Sequence, residues 1–259
     1  TTASDNIAMG YSALGVNTIG GSNVAVGNYA LDANTTASNN TAVGYTALSA
    51  NTTGGTNVAV GYLSLSANTT AADNTAVGAQ SLQVNTVGAS NSGFGRYALQ
   101  NNTASNNTAV GLSALQENTT GTINTAIGRQ ALANNTTGTD NTAVSYSLVT
   151  NTTGSNNTAV GKSALNANTT GANNVAIGND ALDSNTTGGT NVAIGVDCLQ
   201  ANTTASDNVG VGHSALEANT TGVNNTAVGK NSLKANTTGT QNVAVGVNAL
   251  VLNTEGSYN

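Results

Sequence analysis

The sequence predicts an all-β chain wound as a β-solenoid, and three observations carry that prediction. The first is a fixed period. An Asn recurs from Asn6 through Asn23, Asn40 and Asn57 to Asn259, at a spacing of 17 that drops to 16 twice, from Asn91 to Asn107 and from Asn141 to Asn157. The second is composition: 31 Gly, no Pro, no Trp and only 6% charged residues, against about 25% in an ordinary soluble domain. The third is length. A unit this short cannot hold a helix pair but suits one coil of a stacked solenoid.

Numbering each unit from its Asn, the repeat reads Asn, Thr/Val, Ala, Val/Ile, Gly, two variable residues, Ala/Ser, Leu, two variable residues, Asn, Thr, Thr, Gly/Ala and two variable residues. Asn, Thr and Gly are poor helix formers, whereas Thr and Val favour strands. Positions 2–4 (Thr41-Ala42-Val43) therefore predict a short strand, with Thr41 and Val43 on one face and Ala42 on the other. Gly44 permits a corner that a side chain would obstruct. A second short strand is expected through Ala47-Leu48. Asn51-Thr52-Thr53-Gly54 is expected to form the return turn, where Asn and Gly tolerate left-handed geometry. Leu at position 9 recurs from Leu14 to Leu250 and predicts one buried row, and the recurrent Asn predicts a ladder of stacked amides. The two short units are expected to absorb their missing residue locally, at Asn102-Thr103 and at Ser145–Leu148. A lasting one-residue slip would turn buried side chains outward. Residues 1–259 read as a single array of about fifteen coils, starting in mid-pattern at Thr1 and so expected to be a fragment of a longer fibre.

The core is thin. Two large apolar side chains per coil are a small core for a unit of this length. With Val at position 4 assigned to the lumen, Ala at position 3 would point outward, and it is restricted to Ala or Gly in every coil. That restriction predicts a chain–chain contact at Ala42, Ala59, Ala76, Ala109 and Ala159, with another copy of the chain as partner. Packing of these alanines inside, under a tight corner, is the alternative.

The run Asn157-Thr158-Ala159-Val160-Gly161-Lys162-Ser163-Ala164-Leu165-Asn166-Ala167-Asn168-Thr169-Thr170-Gly171 resembles the repeats of phage tail-fibre proteins and related bacterial surface proteins. Its Asn-Thr-Ala-Val-Gly part is also similar to the head repeats of YadA-type trimeric autotransporter adhesins, whose unit is shorter. The resemblance implies a left-handed β-roll, a parallel homotrimer, and an extracellular place on a virion tail fibre or bacterial surface. Its implied role is a structural shaft or adhesion segment, used for reach and attachment.

Five Lys+Arg against eleven Asp+Glu leave no basic surface for nucleic acid. No apolar run approaches the roughly 18 residues of a membrane span, and one Cys excludes a disulfide framework. No catalytic, cofactor-binding or metal-ligating set is expected. His213 occupies a variable position without a recurring carboxylate, and Cys198 replaces a small residue at position 8. Asp180 and Asp183 lie close together but without a cleft. The Asn-Thr-Thr triplets match the glycosylation acceptor pattern but serve turns and ladders more simply. Tyr11, Tyr29, Tyr45 and Tyr62, at positions 6 or 7 of the first four coils, are candidate glycan contacts, since exposed Tyr stacks on sugars. A single-chain ice- or glycan-binding solenoid is the alternative function. Against ice, Thr35-Thr36 places adjacent hydroxyls on opposite faces.

Overall fold

In the computed structural model, which describes residues 3–259, the chain is a parallel β-solenoid in two compact units, one ending at Arg129 and one spanning Gln130–Asn259. No helix occurs among the described residues. The first unit holds β1 (Ile7–Met9), β2 (Val24–Val26), β3 (Thr41–Val43), β4 (Val58–Val60), β5 (Thr75–Val77), β6 (Ser92–Phe94), β7 (Thr108–Val110) and β8 (Thr125–Ile127). The second holds β9 (Thr142–Val144), β10 (Thr158–Val160), β11 (Val175–Ile177), β12 (Val192–Ile194), β13 (Val209–Val211), β14 (Thr226–Val228) and β15 (Val243–Val245). Within each unit every strand pairs in parallel with the next, position for position: Thr41 opposes Val58 in the first and Val175 opposes Val192 in the second.

Each coil has one strand, not two. Where a second strand through Ala47-Leu48 is expected, the chain turns. Thr46 and Leu48 both take left-handed backbone, at φ 51° and 53°. Ala47 N–H donates to the Gly44 carbonyl at 3.3 Å, closing a turn with Thr46 at its third position, as in a type II turn. The left-handed residues of a coil fall at positions 7, 9 and 17 (Thr46, Leu48, Thr56), and none falls in the Asn51–Gly54 return. A non-Gly residue held there costs about 1–3 kcal/mol. Leu nevertheless occupies position 9 because its side chain must fill the lumen, where burial contributes a similar roughly 1.5–3 kcal/mol. Leu31 through Leu115 in the first unit and Leu132 through Leu233 in the second are fully or almost fully buried. Leu14 is half-buried and Leu250 is exposed. Gly44 sits at φ 138°, and a Cβ there would lie 2.4 Å from the Gly61 carbonyl oxygen of the next coil.

Two ladders of buried Asn line the lumen. At position 1, Asn40 N–H donates to Asn23 Oδ1 at 3.0 Å and Asn57 N–H to Asn40 Oδ1 at 2.9 Å. At position 12, Asn51 Nδ2 donates to Asn34 Oδ1 at 3.1 Å and Asn68 Nδ2 to Asn51 Oδ1 at 2.9 Å. The ladders meet on one atom: Asn40 Nδ2 and Asn51 Nδ2 both donate to the Gly54 carbonyl, each at 2.9 Å.

The short coils keep register. In the first, Asn102 Nδ2 reaches Ala104 two residues on rather than three, while Ser92 still opposes Thr108. In the second the corner is shortened at Ser145, at φ 78°, where other coils have Gly; Leu148 stays buried and Thr142 still opposes Thr158. The position-1 ladder passes through both, with Asn107 N–H to Asn91 Oδ1 and Asn157 N–H to Asn141 Oδ1 at 3.0 Å.

The assignment of the strand faces is reversed from expectation. Ala42, Ala59, Ala76, Ala109 and Ala159 are completely buried within their own chain, so they form the lumen wall and not a contact with another chain. Val43 and Val60 lie on the outside, half-buried, as do Thr41 and Val58. The reason is parity. Asn at position 1 must point inward to reach the position-15 carbonyl, and position 3 shares its face.

The restriction to small residues comes from position 8 of the preceding coil. A Cβ added to Gly210 would lie 2.5 Å from Cys198 Sγ, and one added to Gly93 would lie 2.6 Å from Ser81 Oγ. Gly210 thus makes room for the one sulfur in the lumen. Gly210→Ala is expected to cost roughly 1–3 kcal/mol through overpacking, and Cys198→Ala should remove that cost. Thermal unfolding of both single variants and the double variant measures the coupling. Additive effects would refute the compensation.

Candidate functional site

The tyrosines predicted to carry binding form one continuous aromatic file in the first unit. Tyr11, Tyr45 and Tyr62 sit at position 6, immediately after the glycine corner, where the side chain leaves the coil. Tyr29 sits at position 7 in left-handed backbone, φ 60°. Adjacent rings touch: Tyr11 and Tyr29 edge-to-face with centroids 5.3 Å apart, Tyr29 and Tyr45 edge-to-face at 6.1 Å, Tyr45 and Tyr62 near-parallel at 5.8 Å. Tyr11, Tyr45 and Tyr62 are exposed, at 67%, 49% and 53%. The Asn28 side chain accepts from Tyr11 N–H at 3.0 Å, tying the first two coils together beneath the rings. Tyr97 lies apart from the file, with the Arg96 guanidinium 4.4 Å from its ring centroid.

A file of Gln continues at position 10, which sequence reasoning did not single out. Gln100 Nε2 donates to Gln83 Oε1 and Gln116 Nε2 to Gln100 Oε1, both at 3.1 Å. Three Gln at one repeat position in successive coils was the available signal.

The threonines of position 13 spend their hydroxyls inside the fold. Thr35 Oγ1 donates to the Thr52 carbonyl at 3.2 Å and Thr52 Oγ1 to the Thr69 carbonyl at 3.0 Å. The outer row at position 14, such as Thr36 and Thr53, is exposed, as are Thr56 and Thr190 at position 17 and Thr18 and Thr119 at position 13. Asn51 of the Asn51-Thr52-Thr53 triplet is fully buried with its amide in the ladder, so the folded coil offers no acceptor there.

The reactive residue types are scattered. His213 Nδ1 lies 3.0 Å from Ser214 Oγ, and Ser214 also hydrogen-bonds Glu217. Serine therefore stands between histidine and carboxylate, and it is 1% exposed; a nucleophile relay needs histidine in the middle and an open hydroxyl. Burial opposes ionisation of Glu217. The Ser214 and Lys234 hydrogen bonds and the Lys234 and His213 charges outweigh that effect and hold its carboxyl below the usual range. Lys234 Nζ lies 3.1 Å from it. Burial pushes the Cys198 thiol up to about 12, leaving it protonated and inert. Among the described residues there is no pocket, no group of three His, Cys, Asp or Glu suited to a metal, and no helix long and apolar enough to cross a membrane. Comparisons with protein-family models, with curated proteins and with solved structures return no match for this chain.

Asp183 gives a pH test of this surface. Burial first, and then the charge of Asp180, raise its carboxyl above the ordinary 3.8. A carboxyl whose pKa is raised on folding destabilises the native state once ionised, and the penalty vanishes when it is protonated. Asp183→Asn is therefore expected to raise Tm slightly at pH 7, with the gain disappearing as the pH falls through the carboxylate range. Calorimetric scans at both pH values check this, and a gain that persists at low pH would contradict it.

Proposed function

We propose that this chain is a non-enzymatic structural segment, the shaft or adhesion part of an extracellular fibre, built from parallel copies of itself. One observation supports it above the rest: the outer face of the strand carries an unbroken apolar row. Position 4 is Val or Ile in all strands but two, where it is Met9 and Phe94. In the first unit Phe94 is 42% exposed, Val110 39% and Ile127 42%; in the second Ile177 is 39% exposed, Ile194 38% and Val228 37%. Beside it runs position 2, Thr or Val in most strands. Positions 6, 7, 10 and 11 vary freely among polar and apolar residues, so an invariant apolar row on an outer face marks a surface that something covers.

An identical copy in register is the simplest cover, because each coil then meets its own equivalent. The number three, the left-handed winding and the virion or bacterial surface rest on the resemblance of the repeat to tail-fibre and YadA-type sequences. The scattered His, Cys and Asp side chains support a role without catalysis. The filled lumen, with its asparagines tied into ladders except at Asn68 Oδ1 and Asn85 Oδ1, suits a part whose work is to hold distance.

Light scattering tests this reading. The parent is expected at about three times the chain mass of 25.3 kDa. Val43→Glu/Val60→Glu/Val77→Glu should yield a folded chain of single mass, because each carboxylate would otherwise be buried unpaired between chains. Ser49→Glu and Gln116→Glu should leave the mass unchanged. Ala59→Glu, inside the lumen, should abolish folding instead of association. A parent that scatters as a monomer overturns the proposal.

A further inference from the structure

We infer that the tyrosine file of the first unit is a binding platform for a neutral, extended polysaccharide lying along the stack of coils. This goes beyond the shaft role and does not depend on self-association. It starts from the spacing. The rings come one per coil over four consecutive coils, with centroids 5.3, 6.1 and 5.8 Å apart. The planes of Tyr45 and Tyr62 lie 16° apart, whereas Tyr29 stands at 80° and 89° to Tyr11 and Tyr45. A ribbon-like β-1,4-linked hexose chain, whose advance per sugar is close to the spacing of the coils, lays successive pyranose rings along Tyr45 and Tyr62, with Tyr29 turned across the row. A tightly coiled α-1,4-linked chain does not keep pace with such a row.

The file is also pre-ordered. Each ring is held by its neighbour's ring, so little side-chain freedom remains to be lost on binding. Tyr supplies an apolar ring for the C–H face of a sugar and a phenol for its hydroxyls. Exposed Ser12 and Asn28 and half-buried Thr46 alternate with the rings at positions 6 and 7, adding neutral hydrogen-bonding groups.

Charge narrows the ligand further. The chain has no Lys or Arg before Arg96, while Asp5, Asp32 and Asp73 precede it. An anionic polymer would meet no cation along these coils, and an uncharged one suffers no such penalty.

Calorimetric titration of the full chain with cellohexaose, cellobiose, maltohexaose and tetragalacturonate tests the inference. Cellohexaose should bind at least about fivefold more tightly than each of the other three, since only it spans several rings in register without charge. Tyr45→Ala/Tyr62→Ala should weaken cellohexaose binding at least about fivefold, whereas Tyr258→Ala, exposed but outside the file, should leave it unchanged. Far-UV circular dichroism confirms that the variants fold; if the double variant does not, Tyr11→Ala, the most exposed ring of the file, serves in its place. Absence of cellohexaose binding, equal affinity for cellobiose, maltohexaose or tetragalacturonate, or an equal loss in Tyr258→Ala would each overturn it.

Discussion

Within each unit, coils close on one carbonyl. The position-15 oxygen, Gly54 in the third coil, accepts from two asparagine amides: Asn40 across 14 residues of chain and Asn51 across three. Each amide is also linked to the equivalent Asn of an adjacent coil. An unpaired amide in such an interior would cost several kcal/mol, so the carbonyl, both asparagines and the coil circumference between them must be kept together. This explains a repeat whose invariant residues are polar, and why a lumen with so few large side chains still defines one conformation.

The same constraint decides what the surface displays. Because Asn at position 1 is committed inward, Ala at position 3 follows it, and positions 2 and 4 must face out. A branched apolar row on the outside is thus a direct consequence of an amide ladder on the inside. The Gly corner then sends positions 6 and 7 outward, and this is where the tyrosines stand. Interior chemistry, association surface and aromatic file are three results of one alternation.

Strain is distributed along with it. Three non-Gly residues per coil are held in left-handed backbone, and one of them is the large apolar residue on which the lumen depends. Glycine at position 9 would relieve the backbone and empty the core. Leucine at left-handed φ is tolerated because its N–H and C=O are both paired, Leu48 N–H to the Ser64 carbonyl at 3.0 Å and its own carbonyl to Asn51 N–H at 3.3 Å. The short coils show how narrow the tolerance is. Each drops one residue inside a turn and leaves the strand and the position-1 ladder untouched.

Much of this was legible in the residues alone. A fixed period with one triplet of Ala or Gly, flanked in most coils by β-branched residues, and one glycine corner specifies a solenoid, its strand, its register and the places where a missing residue can be absorbed. All of these follow from local geometry repeated without change. The face of the strand turned inward was not legible, because so short a strand alternates equally well either way. The choice belongs to the Asn40 amide, which must reach the Gly54 carbonyl 14 residues further along the chain. The turn at Thr46–Leu48 was likewise hidden, since neither Thr nor Leu favours left-handed backbone by itself, and both are held there by bonds to neighbouring coils, Thr46 N–H to the Asn28 carbonyl of the preceding coil and Leu48 N–H to the Ser64 carbonyl of the next. The sizes at position 3 were also decided in three dimensions. Gly210 answers to Cys198 of the preceding coil, distant along the chain and in direct contact across the lumen.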